Sequence, residues 1–205
     1  GLPVTAPYPQ GVTTVVWRAE DDCGNHCNCT QLIFVDNQNA VMVDVQLSPT
    51  ILGQMRRCMT FEFWTGQETT PTPAFKIDQL VAFTDGVALG VEVAVPAANY
   101  GYMTARDKLH TLRQTDESFG IVGPHYVAHF TGDPMAGGSW LIGGNLNDDA
   151  WIDILDFGAF AAKWGFNYGT PDTACQTPKP HADISGDGLV WTEDFTFIQV
   201  NFLKE

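Results

Sequence analysis

The sequence has few basic side chains. It contains only 10 lysine and arginine residues against 24 aspartate and glutamate residues, which gives a formal net charge of -14. Phosphate groups are bound by clustered lysine and arginine, so this composition argues against nucleic acid and anionic lipid as partners. No apolar run reaches the roughly 18 residues of a membrane-spanning helix. The carboxylate surplus instead favours divalent cations, which bind oxygen ligands.

Recognisable catalytic motifs are also missing. The sequence has no G-x-S-x-G elbow, no phosphate-binding glycine loop and no HExxH. Glu62 and Glu92 could form a glycosidase pair, but the sequence does not place them at the required separation. Trp17, Phe63 and Trp64 could stack on a sugar, although aromatic residues in strands more often belong to the core. We therefore predict a binding protein that is not an enzyme.

Residues 12–130 have the pattern of β-strands. The composition, with 44% hydrophobic and 17% charged residues, is that of a globular protein. In VMVDVQL and VALGVEVAV apolar residues recur at every second position, as in a strand with one buried face. Turn signals such as Thr-Asp-Gly at 84–86 separate the segments. Seven or eight short strands predict a β-sandwich domain of the immunoglobulin or cohesin type over residues 1–139.

The pattern changes after a glycine-rich link at residues 131–139. Beyond it, apolar residues recur at helical spacing, which predicts a small α-helical second domain over residues 140–205. The residues with this spacing are Phe157, Phe160, Ala161 and Trp164, and then Phe195, Ile198 and Phe202.

Two twelve-residue segments in this second domain match a calcium loop, which needs oxygen ligands at positions 1, 3, 5, 7, 9 and 12. In the first loop, residues 145–156, the predicted ligands are Asn145, Asn147, Asp149, the carbonyl of Trp151, Asp153 and Asp156. In the second, residues 183–194, they are Asp183, Ser185, Asp187, the carbonyl of Leu189 and Asp194, with water at position 9. Each loop supplies three carboxylates, so we predict two bound calcium ions.

An acidic turn that only caps a helix is the alternative for each loop. Two matches, each followed by an amphipathic helix, favour calcium. Ala150 stands at position 6 of the first loop where the second has Gly188, so we expect the first to be weaker if that position needs positive φ. We also expect the loops to pair through Ile152 and Val190, both at position 8. The following helices should pack through Phe157, Phe160, Phe195 and Ile198.

With aspartate at position 12 and an apolar residue at position 8 of both loops, and with the run WIDILDFGAF, residues 140–205 resemble a type I dockerin. The resemblance implies a pair of EF-hand-like calcium loops and a cohesin-like or cell-surface protein as partner. The tail is also similar to uncharacterised exported proteins of planctomycete-type bacteria. Positions 10 and 11, which read the partner in dockerins, are Ile154 and Leu155 in the first loop but Thr192 and Glu193 in the second. This difference argues against a symmetric binding mode.

Five cysteines are present, four of them within the first 58 residues. Cys23, Cys27 and Cys29 could form a zinc site completed by His26 or Cys58, or they could form disulfides. Calcium loops and several cysteines together favour a secreted or cell-surface protein, and hence disulfides. We predict that Cys58 bonds to one of the other three, and an odd count leaves at least one thiol unpaired or pairing between chains.

The remaining polar residues give weaker signals. His125 and His129 share one face of a predicted strand but lack a third ligand, and His26, His110 and His181 are isolated in sequence. We predict a non-catalytic, extracellular calcium-binding protein, with an adhesion or carbohydrate-binding sandwich and a dockerin-like interaction module. The alternative is the accessory region of a secreted polysaccharide-degrading enzyme. We expect the module to pack on the β-domain and cover the large aromatic residues near its loops, which are Trp140, Trp151 and Trp191.

Overall fold

The computed structural model describes residues 8–9, 11–35, 38–47, 51–66, 72–116, 118–123 and 125–205. The strands are β1 (Gly11–Glu20), β2 (His26–Val35), β3 (Gln38–Gln46), β4 (Gln54–Trp64), β5 (Phe75–Thr84), β6 (Val87–Pro96), β7 (Tyr102–Asp107), β8 (Gln114–Asp116), β9 (Gly120–Val122) and β10 (His125–Phe130). A short 3-10 helix covers Pro134–Ala136, and the α-helices are α1 (Ile154–Ala161) and α2 (Thr192–Val200).

Strands β3 to β10 form one eight-stranded sheet in the order β8-β7-β4-β5-β6-β3-β10-β9, in which only β3 and β10 run parallel. β5 and β6 pair only beside their turn, at Thr84 and Val87, and the sheet is curled. Across the curl, Asp116 in β8 accepts a 2.7 Å hydrogen bond from the amide of His129 in β10. The predicted β-sandwich of immunoglobulin or cohesin type is therefore wrong, because the strands are continuous in one sheet.

The predicted alternation of buried and exposed residues is confirmed in β3 but not throughout β6, where Leu89 is 71% exposed and Ala88 is buried. Val41, Val43 and Val45 are fully buried in β3. β4 is buried along most of its length, and even its charged residues Arg57 and Glu62 are only 1% and 3% exposed. One hydrophobic cluster contains the buried residues of the sheet and those of the loops and helices that follow it. The C-terminal segment thus completes the core of the sheet.

The predicted EF-hand pair is also wrong. An EF-hand places its calcium loop between two helices, whereas the described residues contain two α-helices, α1 and α2, each of which begins at position 10 of a loop. The segment before the first loop instead makes isolated bridges to the sheet, from Leu141 to Leu47 and from Gly143 to Thr111. These bridges hold the start of the first loop against strand ends, where an EF-hand would have a helix.

Candidate calcium loops and their anchors

The Asp156 carboxylate, at position 12 of the first loop, closes that loop on itself. It is fully buried in the first turn of α1. One oxygen accepts a 2.6 Å hydrogen bond from the amide of Leu146, and the other a 2.9 Å bond from the amide of Asp153. Burial is the main cause that raises the pKa of Asp156 above its ordinary value.

Asp194 does the same in the second loop. Its two oxygens accept hydrogen bonds from the amides of Ser185 and Trp191 at 2.8 and 2.9 Å, and it too is fully buried. Burial raises the pKa of Asp194 to about 6, and repulsion from the nearby Asp183 carboxylate adds to the effect. The two loops share the contacts from positions 3 and 9, since the amide of Asn147 also donates to Asp156, at 3.2 Å, as the amide of Ser185 does to Asp194.

The first four residues of the two loops also match. The position 1 side chains of Asn145 and Asp183 accept 2.8 Å hydrogen bonds from the amides of Asp148 and Gly186, which stand at position 4. Both position 4 residues have a left-handed backbone, with φ of 64° and 74°. Glycine adopts this conformation freely, and aspartate is among the residues that tolerate it best.

Position 6 is where the loops diverge. Gly188 has φ of 88°, whereas Ala150 is not among the residues with positive φ. The weakening that we expected at Ala150 depended on positive φ there, so its backbone gives no reason to rank the first loop below the second.

Loop position 5 repeats as well. Asp149 and Asp187 each accept a 2.8 Å hydrogen bond from the amide two residues later, at Trp151 and Leu189. Within the described ranges, no group of three or more histidine, cysteine, aspartate or glutamate side chains is arranged to hold a metal ion. Calcium also binds carbonyl, amide and hydroxyl oxygens, which the predicted ligand sets include.

The six predicted carboxylate ligands share a lack of positive partners. They are Asp149, Asp153, Asp156, Asp183, Asp187 and Asp194. In the part of the chain that the structure describes, none of them forms an ion pair with a basic side chain. By contrast Asp148, at a position that is not a ligand, pairs with both Arg106 and Lys179 at 2.7 Å. The all-oxygen donor set with uncompensated charge fits a divalent cation.

The position 8 residues do not pair with each other as predicted. Ile152 exchanges backbone hydrogen bonds of 2.8 and 3.0 Å with residues 203 and 204, which follow α2. Val190 exchanges bonds of 2.9 Å with residues 165 and 166, which follow α1. Each loop is therefore joined to the segment after the other loop's helix, and both residues are fully buried. The predicted bridge between the loops is wrong because these segments take the backbone groups it needed.

The predicted packing between the helices is confirmed for its aromatic members. The Phe195 ring lies 5.8 Å from the rings of both Phe157 and Phe160, measured between centroids. Ile198 is 1% exposed. The contact joins the two loops through their following helices.

A disulfide between Cys58 and Cys175 ties the segment between the loops to β4. The predicted bond from Cys58 to the N-terminal cysteines is wrong, and Cys23, Cys27 and Cys29 are exposed free thiols. Next to Cys58, Arg56 donates hydrogen bonds of 2.9 and 2.7 Å to the Asp172 carboxylate. A covalent bond and an ion pair thus attach the segment before the second loop to β4.

A buried polar cluster lies beneath the second loop. His110 Nδ1 is 2.7 Å from the Asp107 carboxylate, and its Nε2 is 2.9 Å from His181 Nδ1. Arg57 donates to the carbonyl oxygen of Asp183 at 3.1 Å and lies 2.8 Å from the His110 ring. Burial, followed by the positive charge of Arg57, lowers the pKa of His110, and burial lowers that of His181 to about 3. Both shifts favour the neutral form of each ring.

Sequence reasoning missed this cluster. His110 and His181 were isolated in the sequence, and no local motif marks them. They meet because the turn after β7, which contains His110, and the segment before the second loop, which contains His181, both pack against β4 at Arg57. Four members of the cluster are 1% to 3% exposed, namely Arg57, Asp107, His110 and His181. This burial leaves no room for a substrate and points to a structural role.

Glu62 is linked to the first loop through Arg106. Its carboxylate lies 3.1 Å from Lys76, 3.2 Å from Arg113 and 3.8 Å from Arg106. Arg106 in turn pairs with Asp148 of the first loop. Glu62 is thus committed to three cations and is not available as half of a glycosidase pair.

Two of the three tryptophans near the loops are not covered by the sheet. Trp151 and Trp191 are 45% and 43% exposed, while Trp140 is half-buried. The expectation that docking hides all three is therefore wrong. Ile154 and Leu155, at positions 10 and 11 of the first loop, are even more open, at 64% and 61%. The three exposed residues of the first loop, Trp151, Ile154 and Leu155, are called the loop face below.

The other candidate residues do not converge. Phe63 and Trp64 are buried in the core, whereas Trp17 is exposed on the separate β1–β2 ribbon, so they form no joint sugar-stacking surface. His129 lies 3.0 Å from the Asp44 carboxylate. His125 is exposed at the start of β10. No helix of the described residues is long and apolar enough to cross a bilayer.

No family model matches the chain, and neither a curated protein nor a solved structure shows significant similarity to it. The resemblance to type I dockerins stays a prediction from the sequence.

Proposed function

We propose that this chain is a non-catalytic extracellular calcium-binding protein in which two calcium ions stabilise the loops at residues 145–156 and 183–194. The observation that carries this proposal is the repeated contact pattern of the two loops. In both, the position 1, 5 and 12 side chains accept hydrogen bonds from loop amides. Among the described residues, no basic side chain forms an ion pair with the six predicted carboxylate ligands of the two loops.

Calcium would supply that positive charge. The residues that would hold it are the predicted ligands, Asn145, Asn147, Asp149, Trp151, Asp153 and Asp156 in the first loop and Asp183, Ser185, Asp187, Leu189 and Asp194 in the second. Two fully buried aspartates, Asp156 and Asp194, are costly to keep charged without a partner. A bound ion removes this cost and fixes the start of each helix.

An extracellular setting suits both features of the C-terminal segment. Disulfides persist in oxidising compartments, and the Cys58–Cys175 bond fastens this segment to β4. Extracellular calcium sites work at dissociation constants of about 0.1–1 mM. Weak loops would therefore be loaded after export.

The role of the ions would be to present the loop face to a partner protein. Ile154 and Leu155 are exposed immediately after the position 9 ligand, so a calcium-ordered loop would hold them in place. Exposed apolar clusters commonly mark interaction sites. Because the chain carries a net charge of -14, a partner with a basic rim around an apolar pocket would bind fastest.

Calorimetric titration of the chelator-treated full chain tests the calcium proposal. We expect two bound ions, with Asp156→Asn and Asp194→Asn each weakening one of them by at least tenfold. Glu193→Gln is the matched control for Asp194→Asn, because it removes the same charge from the second loop at an exposed position that is not a ligand. Absence of binding, or equal losses in Glu193→Gln and Asp194→Asn, would contradict the proposal.

The partner role is tested separately by capture from extracellular protein mixtures with and without calcium. Ile154→Asp and Leu155→Asp should abolish capture of a calcium-dependent partner. Glu193→Ala, at the corresponding position of the second loop, is the control and should keep it. If calcium binds but none of these variants changes capture, the loop face is not the interaction surface.

A further inference from the structure

The β1–β2 ribbon stands apart from the rest of the fold. Its ten residue pairs run from Gly11–Val35 to Glu20–His26, and neither strand joins the eight-stranded sheet in the described residues. A two-stranded ribbon is marginally stable in water, and three or more strands are usually needed. The ribbon therefore has two open edges to which a further strand can be added.

The edge of β2 is the less protected of the two. Natural proteins block exposed edges with charged residues and proline. The sequence of β2, HCNCTQLIFV, contains no proline, lysine, arginine, aspartate or glutamate. β1 carries Arg18 and Glu20, which form a 2.8 Å ion pair. An added strand is therefore expected at β2.

The turn of the ribbon determines which residues of β2 face this edge. The amide of Asp21 donates a 2.9 Å hydrogen bond to the carbonyl of Asn25. Hydrogen-bonded and non-hydrogen-bonded pairs alternate along an antiparallel ladder. Counting from that pair, Cys27 and Cys29 direct their backbone groups at β1. The residues whose N–H and C=O groups face the open edge are His26, Asn28 and Thr30.

We propose that β2 pairs antiparallel with β2 of a second copy of this chain, about a two-fold axis at Asn28, and that two disulfides join Cys27 of each copy to Cys29 of the other. In this register the two Asn28 residues form a hydrogen-bonded pair. Cys27 then lies opposite Cys29 in a non-hydrogen-bonded pair, where Cα atoms are about 4.5 Å apart. That separation is within the range of about 4.4–6.8 Å found in disulfides.

The second copy is favoured over a bond within one chain. Cys27 and Cys29 lie two residues apart on the same strand, with Cα atoms about 6.6 Å apart and side chains roughly parallel. Their Cβ atoms are then also about 6.6 Å apart, beyond the roughly 3.5–4.5 Å that a disulfide needs, so bonding them to each other would distort the strand. The two-fold register places Cys27 of each copy opposite Cys29 of the other without distorting the strands, so two disulfides can form.

The thiols are available for this reaction. Cys23, Cys27 and Cys29 are exposed and unpaired, while Cys58 and Cys175 are already bonded. The oxidant is a small-molecule disulfide acting by thiol–disulfide exchange. Per dimer, four cysteine thiols lose four protons and four electrons, and two small-molecule disulfides become four thiols. Cys23, in the turn, stays reduced, which accounts for the odd cysteine.

The dimer would replace two ribbons by one four-stranded antiparallel sheet, in the order β1-β2-β2-β1. The added ladder satisfies backbone groups on the open edge and meets the need for more than two strands. Trp17 lies opposite Cys29 in the ribbon and is 43% exposed. A disulfide formed at Cys29 is therefore close enough to quench its fluorescence.

Oxidation of the full chain with glutathione disulfide tests the register. Non-reducing electrophoresis and light scattering should show a dimer of twice the 22.4 kDa chain mass, with a Cys27–Cys29 peptide on digestion. Cys27→Ser and Cys29→Ser should each form at least tenfold less covalent dimer, because serine then faces the remaining thiol. An equal mixture of these two variants should recover a dimer with one disulfide, in about half of the chains.

Cys23→Ser is the control and should cross-link like the natural sequence. Dimer formed by either single variant alone at the natural rate would overturn the proposal, as would a bond through Cys23 or a bond within one chain. A mixture that fails to recover the dimer would overturn the two-fold register.

A charge at the axis separates strand pairing from random collision of thiols. Asn28→Lys places two positive charges opposite each other, and cross-linking should slow by about tenfold. Thr14→Lys is the matched control, because Thr14 lies on the same face of the ribbon, on β1 and away from the seam. Cross-linking at the natural rate in Asn28→Lys, or equal slowing in both variants, would contradict pairing through β2.

Discussion

Arg106 Nη1 lies 2.7 Å from Asp148 Oδ1, and this ion pair joins β7 of the sheet to the first loop. Lys179, from the segment before the second loop, binds the other Asp148 oxygen at 2.7 Å. Asp148 therefore connects the sheet and both loop regions through charge. Asp148 stands at loop position 4, which is not a ligand position, so the basic side chains it binds are paired with a carboxylate other than the predicted ligands.

The Arg106–Asp148 pair should contribute measurably to stability. Its side chains are 14% and 18% exposed, so solvent screens it less than a surface pair. A double-mutant cycle with Arg106→Met and Asp148→Asn should give a coupling energy of about 1 kcal/mol in urea unfolding. The same cycle on Arg56 and Asp172, which are 60% and 31% exposed, should give less. A larger coupling for the exposed pair would refute this ranking.

Loss of the Cys58–Cys175 bond should be strongly destabilising. The bond joins residues 117 apart in sequence, and cross-linking over so long a separation restricts the unfolded chain by about 4–5 kcal/mol in the chain-entropy model. We expect Cys58→Ser with Cys175→Ser to lose about 4 kcal/mol of unfolding free energy. Cys23→Ser, measured as reduced monomer, should change it by about 0.5 kcal/mol or less because that thiol is exposed. Similar values for both variants would argue against a structural role of the bond.

Two neighbouring arginines should differ sharply in importance. Arg57→Met removes a guanidinium that is 1% exposed and leaves His110 and the carbonyl of Asp183 with one partner fewer. Breaking a buried charge network costs about 3–5 kcal/mol. Arg56→Met removes an exposed pair and should cost about 1 kcal/mol or less. Thermal and urea unfolding of both variants measure the difference, and equal losses would show that the cluster under the second loop is not rigidly packed.

Glu62 should make stability depend on acid pH. Burial acts to raise the pKa of Glu62, but the hydrogen bond from Lys76 and the charges of Arg113 and Arg106 outweigh it, so the pKa lies below its ordinary value of 4.5. The unfolded chain then takes up the proton first as pH falls. The stabilisation is complete above pH 4.5 and is lost as pH decreases through the folded-state pKa. Urea unfolding from pH 7 to pH 3 should show the advantage over Glu62→Gln shrinking below pH 4.5, and a constant difference would exclude this linkage.

Local patterns predicted the elements well. The alternation of Val41, Val43 and Val45 identified a strand with one buried face, because a pleated strand turns successive side chains to opposite sides. The spacing of Phe157 and Phe160 placed a helix after the first loop, because both then lie on one face. Such signals depend only on neighbours in sequence.

The way in which these strands and helices pair could not be predicted from the sequence. A sandwich and a curled sheet have the same short alternating strands, and they differ in whether β5 and β6 remain in one sheet through Thr84 and Val87. The partner of Cys58 could not be chosen either, because five cysteines allow many pairings. His110 and His181 meet only through the tertiary fold and carry no local signal.

Spacing alone did not identify the backbone partners of the loops. Ile152 and Val190 were expected to pair because both stand at position 8. Their real partners are segments beyond each other's helix, which contain no motif that marks them. Periodicity in the sequence identifies which side chains are buried. Which backbone groups pair with each other depends on the other donors and acceptors that the fold brings close.

The crossed pairing of the loops sets an order in which they can be completed on the ribosome. Synthesis delivers residues 165 and 166, the partners of Val190, before the second loop itself, so that loop can close as soon as it emerges. Ile152 must wait for residues 203 and 204, which are made only after the second helix. Although it is translated earlier, the first loop is finished last, and until then its apolar position 8 residue is open to chaperones and to proteolysis.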